Sequence, residues 1–318
     1  MTEPPRPDYA TLIDAETWAF IRDSQSWYPP ETASFSIDRQ RQIYDDMCRA
    51  FHKGYPPEVT VQDKPFGGVP CRLYERRDSV SGTVLYLHGG GSVVGGLDSH
   101  DDVCAEICAE TGLRVVSADY RLAPEHLHPA QFDDTMAAAR SLATTYDEPL
   151  VLAGDSAGAS LAAAVAHTAR VGGPAIIGQV LVYPDLGGDP DQGSFVIHAE
   201  APMLTRSDVL FYRDMPRGNR ADAGADVTAE PLKDLDFSGL PPTIILSAEC
   251  DPLADDGPAY AAAIVAAGGK AHARVEAGLV HGYLRARRSV PRARASFARL
   301  TSAIASLARG GWPDWAGS

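Results

Sequence analysis

The chain has 318 residues, 45% of them hydrophobic and 22% charged, the balance of a folded globular protein long enough to bury a large core. Its 42 acidic against 28 basic residues give a formal charge of −14, which repels phosphate backbones and anionic lipid surfaces and argues against nucleic-acid and membrane-surface roles. The N-terminus has neither the basic start nor the apolar core of a secretory signal, so a cytoplasmic protein is expected, and five cysteines without CxxC spacing (Cys48, Cys71, Cys104, Cys108 and Cys250) read as reduced, buried thiols.

Along the chain, residues 1–55 carry helical patterns over 9–21 and 37–51. A rhythm of apolar runs and amphipathic segments follows. The runs at 83–89, 113–119, 149–155, 177–185, 242–249 and 271–278 read as buried strands. Helices are expected over 100–110, 130–144, 156–170, 258–267 and 292–307. Strand and helix in alternation imply the α/β class, a mostly parallel sheet with helices on both faces. Residues 187–235 depart from the rhythm: they are rich in Gly, Pro and Asp, with one helix expected over 207–213. Neither this segment nor residues 1–55 has core enough for an independent domain, and both suit a lid over the functional edge of the sheet.

The segment "VLAGDSAGAS" places Gly154-Asp155-Ser156-Ala157-Gly158 after a predicted strand and before a predicted helix. A nucleophile elbow requires that setting: the sharp reversal strains the central residue, small neighbours avoid collision, and serine is presented at a helix N-terminus that favours negative charge. A serine nucleophile needs a base, and the base needs an orienting acid. His281 in "GLVHGYL" follows the last predicted strand, and Asp251 in "SAECDPLADDG" follows the strand before it. Asp255 and Asp256 are weaker acid candidates because they fall inside or at the cap of the next helix. The order Ser156, Asp251, His281 is that of α/β-hydrolases. Upstream, "HGGG" at 88–91 follows a strand, and the amides of Gly90 and Gly91 with that of Ala157 would make a three-donor oxyanion hole. A dinucleotide loop fits poorly, because the glycines spell GxGxxxG and not GxGxxG.

These motifs, with "DYRLAPEH" at 119–126 and "DPLADDG" at 251–257, resemble the hormone-sensitive-lipase family of α/β-hydrolases, carboxylesterases of acetyl esterase type among them. The resemblance covers roughly residues 55–290 and implies an α/β-hydrolase fold with an eight-stranded, mostly parallel sheet. Residues 56–186 and 236–318 would form the catalytic core; residues 1–55 and the insertion 187–235 would form a helical cap. It implies no cofactor and no metal, a small-molecule ester of short acyl chain as substrate, and leaves a homodimer open. His88 would orient the glycine loop beside Gly89, residues 120–125 would buttress the site, and Asp155 would be a hydrogen-bonded elbow residue. Two positions depart from the family pattern: Ser92 stands where a bulky aromatic is frequent after HGGG, and Tyr283 where phenylalanine is usual, which would put a hydroxyl near the histidine. Pocket candidates are Ser92, Tyr183, Tyr283, Phe195, Met203, Leu204 and Tyr212, with Trp18 and Trp27 from the N-terminal segment. An amidase or acyltransferase using the same triad, and a receptor that binds without catalysis, are the alternatives; receptors on this fold typically lose a triad member, and this chain retains all three.

Overall fold

A central sheet organises the chain because its apolar runs alternate sides. The computed structural model describes residues 7–218 and 226–317; residues 1–6 of the expected cap segment, 219–225 of the expected insertion and Ser318 lie outside the described residues. In chain order the elements are α1 (Tyr9–Leu12), α2 (Ala15–Gln25), α3 (Ile37–Phe51), β1 (Val59–Asp63), β2 (Cys71–Arg76), β3 (Val80–Leu87), α4 (Asp101–Thr111), β4 (Leu113–Ala118), α5 (Ala130–Tyr146), β5 (Leu150–Asp155), α6 (Ala157–Ala169), β6 (Ile176–Val182), α7 (Gly193–Ile197), α8 (Arg206–Arg217), β7 (Thr243–Cys250), α9 (Asp256–Ala266), β8 (Ala271–Val280) and α10 (Pro291–Ala308).

Eight strands form one sheet in the order β1-β2-β4-β3-β5-β6-β7-β8. β2 runs antiparallel to both β1 and β4, and from β4 onward all neighbours are parallel. Successive residues of a strand point to opposite faces. Val84, Tyr86, Val151, Val180 and Ile244 therefore pack with α4 and α10. Leu85, Leu87, Leu152, Leu181 and Ile245 pack with α5, α6 and α9 on the other face. All five cysteines are buried and unpaired. No described helix is long and apolar enough to cross a membrane.

Three local features differ from the sequence expectation. β1 and β2 are strands that the apolar runs did not signal: "VTVQD" buries only Val59, and "CRLYER" buries Cys71, Leu73 and Tyr74 among charged residues. The helix expected over 9–21 is two, because Ile13 is extended and the Asp14 carboxylate accepts from the Thr17 amide at 2.8 Å, starting α2 afresh. The helix expected over 207–213 runs to Arg217, and the short α7 precedes it.

Burial sets the cost of truncation along the sheet. Leu85 is fully enclosed between β4 and β5, whereas Val275 on the edge strand β8 is 44% exposed. Leu85→Ala is expected to cost about 2–5 kcal/mol and Val275→Ala less than about 0.5 kcal/mol in urea denaturation; equal losses would contradict the two-face packing.

Candidate active site

β5 ends at Asp155, and the chain reverses into α6 through Ser156, whose φ of 53° and ψ of −126° lie outside the regions a serine ordinarily adopts. The reversal is tight because α6 passes close under β3: a Cβ on Gly158 would fall 2.0 Å from the Leu87 carbonyl oxygen. The Ser156 amide donates to the Val182 carbonyl at 2.9 Å, fixing the turn against the end of β6.

Two further strand ends bring the expected partners to this serine. His281 follows β8, and its Nε2 lies 2.9 Å from Ser156 Oγ. Its Nδ1 lies 2.7 Å from Asp251 Oδ2, on the segment after β7. Asp251 is fully buried, and its second oxygen accepts from the Leu253 amide at 2.9 Å. A carboxylate can only accept, so Nδ1 carries the imidazole proton and the Nε2 lone pair faces the serine hydroxyl. The rival acids go elsewhere: Asp255 Oδ2 accepts from the Ser194 amide, and Asp256 Oδ2 from the amides of Leu186 and Gly188.

The glycine loop lies on the other side of Ser156. Gly90 and Gly91 both have positive φ, and a Cβ on Gly91 would fall 2.1 Å from the Tyr212 ring, so no larger residue fits beneath α8. The amides of Gly90, Gly91 and Ala157 donate to no group among the described residues. His88 Nδ1 lies 2.8 Å from the Gly89 carbonyl, which can only accept, and the ring stacks on Tyr120 at 4.3 Å between centroids. Tyr120 in turn donates to the His88 carbonyl at 2.6 Å. Asp155 joins elbow to loop: its carboxylate accepts from the Gly89 amide at 3.1 Å, from Tyr86 at 2.8 Å and from Tyr183 at 3.3 Å, with His100 Nε2 also at 3.3 Å. Burial pushes the Asp155 carboxyl up, but the His100 ring, Arg285 and the Tyr86 hydroxyl outweigh it and hold it well below the usual carboxylate range.

Residues 84–285 match the family model of the alpha/beta hydrolase fold. The chain is 38% identical over 265 residues to carboxylesterase NlhH of Mycobacterium tuberculosis, spanning 78% of this chain and 83% of that protein. It is 33% identical to the acetyl esterase of Salmonella paratyphi B, over 77% of this chain and 80% of that one. An esterase from the bacterial hormone-sensitive lipase family superposes with a TM-score of 0.84 at 27% identity, covering 93% of this chain and 99% of its own. The chain belongs to the hormone-sensitive-lipase type of α/β-hydrolases. It is a carboxylic ester hydrolase.

In this hydrolase a cavity of about 910 Å³ opens over Ser156 and His281, between the sheet's C-terminal edge, α2, α3 and α8. Of the expected pocket residues, Ser92, Tyr183, Met203, Leu204, Tyr212 and Trp18 line it. Three do not. Phe195 is buried with Leu204, Val209 and Leu253 and lies under the Arg213 guanidinium. Trp27 sits on the surface, 39% exposed. Tyr283 is fully buried, and its hydroxyl pairs with Ser296 Oγ of α10 at 2.8 Å, so the departure from phenylalanine puts no hydroxyl beside His281. The ring facing His281 is Tyr183, 4.6 Å away between centroids. Sequence reading passed over Tyr28, Tyr44 and Arg285 of the cavity wall, since they stand outside any motif.

Burial pushes the His88 imidazole down to about 4, the nearby His100 adding to the effect. Neutral His88 therefore stabilises the fold fully above the ordinary imidazole pKa of 6.5, and the contribution is lost as pH falls from 6.5 to about 4, where the unfolded chain takes a proton that the buried ring refuses. The window corresponds to about 3 kcal/mol. His88→Asn is expected to lower stability at neutral pH but to flatten its fall between pH 6.5 and 4, read by urea denaturation across that range; parallel curves for variant and wild type would refute it.

Proposed function

We propose that Ser156 is the nucleophile, His281 the general base and then acid, and Asp251 the residue that holds the imidazole tautomer and stabilises imidazolium. The observation that carries this reading is the unbroken chain of contacts, 2.9 Å from Ser156 Oγ to His281 Nε2 and 2.7 Å from Nδ1 to Asp251. His281 takes the hydroxyl proton as Oγ attacks the ester carbonyl. The amides of Gly90, Gly91 and Ala157 receive the oxyanion, and imidazolium protonates the departing alkoxide. Water, deprotonated by the same ring, then releases the acid from the acyl-enzyme and restores the serine. Residues 1–55 and 187–235 act as the cap, and residues 56–186 and 236–318 as the catalytic core; α2, α3 and α8 supply much of the cavity wall over the serine. The proposed substrates are esters with acyl chains of roughly two to six carbons, the rest of the cavity taking the alcohol part. The acetyl esterase relative and the polar "DLGGDPDQGS" of the insertion support the short acyl group. A cytoplasmic setting is part of the proposal and agrees with five unpaired, buried thiols.

Turnover of p-nitrophenyl esters of increasing acyl length tests the whole reading. Wild type is expected to hydrolyse acetate and butyrate best and to lose activity beyond roughly six carbons. Ser156→Ala is expected to lower kcat at least about 10⁴-fold, and Asp251→Asn about 10⁴-fold. A Ser156→Ala protein as active as wild type would sink the mechanism, and a maximum at long chains would sink the short-acyl assignment. Amide or thioester substrates turned over faster than the matched ester would favour an amidase or acyltransferase.

A further inference from the structure

Among the described residues, one arginine of the cavity stands without a carboxylate counter-ion. Arg285, four residues after His281, lines the wall with Tyr28, Tyr44 and Met47. Its guanidinium donates to the Tyr44 hydroxyl at 2.5 Å and lies 4.9 Å from that ring's centroid, while its Nε is buried with no hydrogen-bond partner. Every other described arginine that is buried or half-buried makes an ion pair with a carboxylate; Arg72, Arg114, Arg170, Arg213, Arg287 and Arg299 are examples. Arg285 makes none. The Cys48 thiol beside it is held neutral by burial. Asp155 is near enough to be felt but does not pair with it, its oxygens being engaged by Tyr86, Gly89, His100 and Tyr183.

A guanidinium always carries its charge, and taking it out of water without an anion is costly. Five N–H donors in a planar fork also match a carboxylate better than any other small group. The remaining charges of the cavity do not compete for this role. Asp185 pairs with Arg213 and Glu230 with Arg217, while Glu200 and Asp208 are exposed at the rim, where water screens them. The Tyr44 oxygen accepts from Arg285, which leaves its own O–H free to donate beside the guanidinium.

We propose that Arg285 and the Tyr44 hydroxyl form a carboxylate-binding subsite, and that the preferred substrate is an ester bearing a carboxylate on its acyl or its alcohol part. The proposal rests on the esterase reading above. It deepens that reading by assigning a charge to the substrate class, and it explains why a chain of net charge −14 keeps an unpaired cation next to its reacting groups.

Two matched pairs of esters test it and separate the two positions of the charge. Mono-p-nitrophenyl glutarate against p-nitrophenyl pentanoate places the carboxylate on the acyl side; 4-carboxyphenyl acetate against 4-carbamoylphenyl acetate places it on the alcohol side. In one pair, wild type is expected to favour the anionic member in kcat/KM, and Arg285→Gln to lower that ratio about 10- to 100-fold, mainly through KM, with Arg285→Lys retaining part of it. A wild type that favours the neutral member of both pairs would overturn the proposal, as would an Arg285→Gln change that scales both members of each pair equally. Should the variants fail to fold, wild type alone decides: glutarate or benzoate must inhibit p-nitrophenyl butyrate hydrolysis more strongly than its amide counterpart, and more weakly as salt rises. If wild type turns over no ester, the esterase reading has failed instead, and calorimetric binding of benzoate against benzamide to wild type and Arg285→Gln still judges the subsite.

Discussion

The buried carboxylate of Asp155 is the constraint from which the rest of the site follows. It is 2% exposed and sits one residue before the serine, so it must be satisfied by groups brought to it and not by water. Those groups come from different parts of the chain: the Tyr86 hydroxyl from β3, the Gly89 amide from the glycine loop, the His100 ring from the start of α4, and the Tyr183 hydroxyl from the end of β6. A charge held this way ties the elbow, the loop opposite it and the wall facing His281 into one geometry. Its partners are each worth more than an exposed hydrogen bond, because losing one leaves a charged oxygen unpaired at a buried position.

The parallel sheet makes such convergence inexpensive in chain length. Strands β3, β5, β6, β7 and β8 all end at the same edge, and each delivers one component: the glycine loop, Ser156, Tyr183, Asp251 and His281. Ligands of open α/β sheets bind at this carboxyl edge for the same reason. The helices above are fastened to it by polar links. Arg41 of α3 donates to the carbonyls of Val93 and Ala123, both at 2.8 Å, and pairs with Glu125. Asp255 and Asp256 hold the backbone of residues 186–194 on the far side. Tyr9 and His198 meet at 3.1 Å, so the N-terminal helices and the insertion touch each other as well as the core.

Much of this was legible in the sequence, and the misses have physical causes. Five of the six parallel strands, β3 to β7, are runs of residues largely buried on both faces, which read plainly, while the edge strand β8 is buried only toward its end; β1 and β2 lie at the opposite sheet margin, where one face is polar and the hydrophobic signal fades. Ser156, Asp251 and His281 sit at strand ends, Ser156 among small residues and His281 before a glycine, so local chemistry pointed to each, and the fold brings them within hydrogen-bond reach. The cavity wall was harder. Phe195 and Tyr283 are aromatic residues close in sequence to the site, yet whether a ring faces a cavity or a core depends on its rotamer and on what packs above, here Arg213 and Ser296. Arg285 gave no signal at all, because its lack of a carboxylate partner among the described residues is seen only in three dimensions.

Backbone strain marks the same region from an independent direction. Among the described residues, five other than glycine have positive φ: Ser92, Asp147, Ser156, Tyr183 and Met203. Asp147 terminates α5 in a left-handed cap, an ordinary helix ending. The other four all line the cavity. Each costs of order 1–3 kcal/mol and persists only where its surroundings overdetermine it. For Ser156 those surroundings are the Val182 carbonyl and the crowded α6; for Tyr183 they are the Leu246 carbonyl, 2.7 Å from its amide, and the Asp155 carboxylate. For Ser92 the hold comes from the Ala123 amide, which donates to the Ser92 carbonyl at 2.8 Å. A sheet buried on both faces thus stabilises a small set of unfavourable backbone conformations at its edge, and their confinement to the cavity is what a rigid scaffold holding the proposed nucleophile requires.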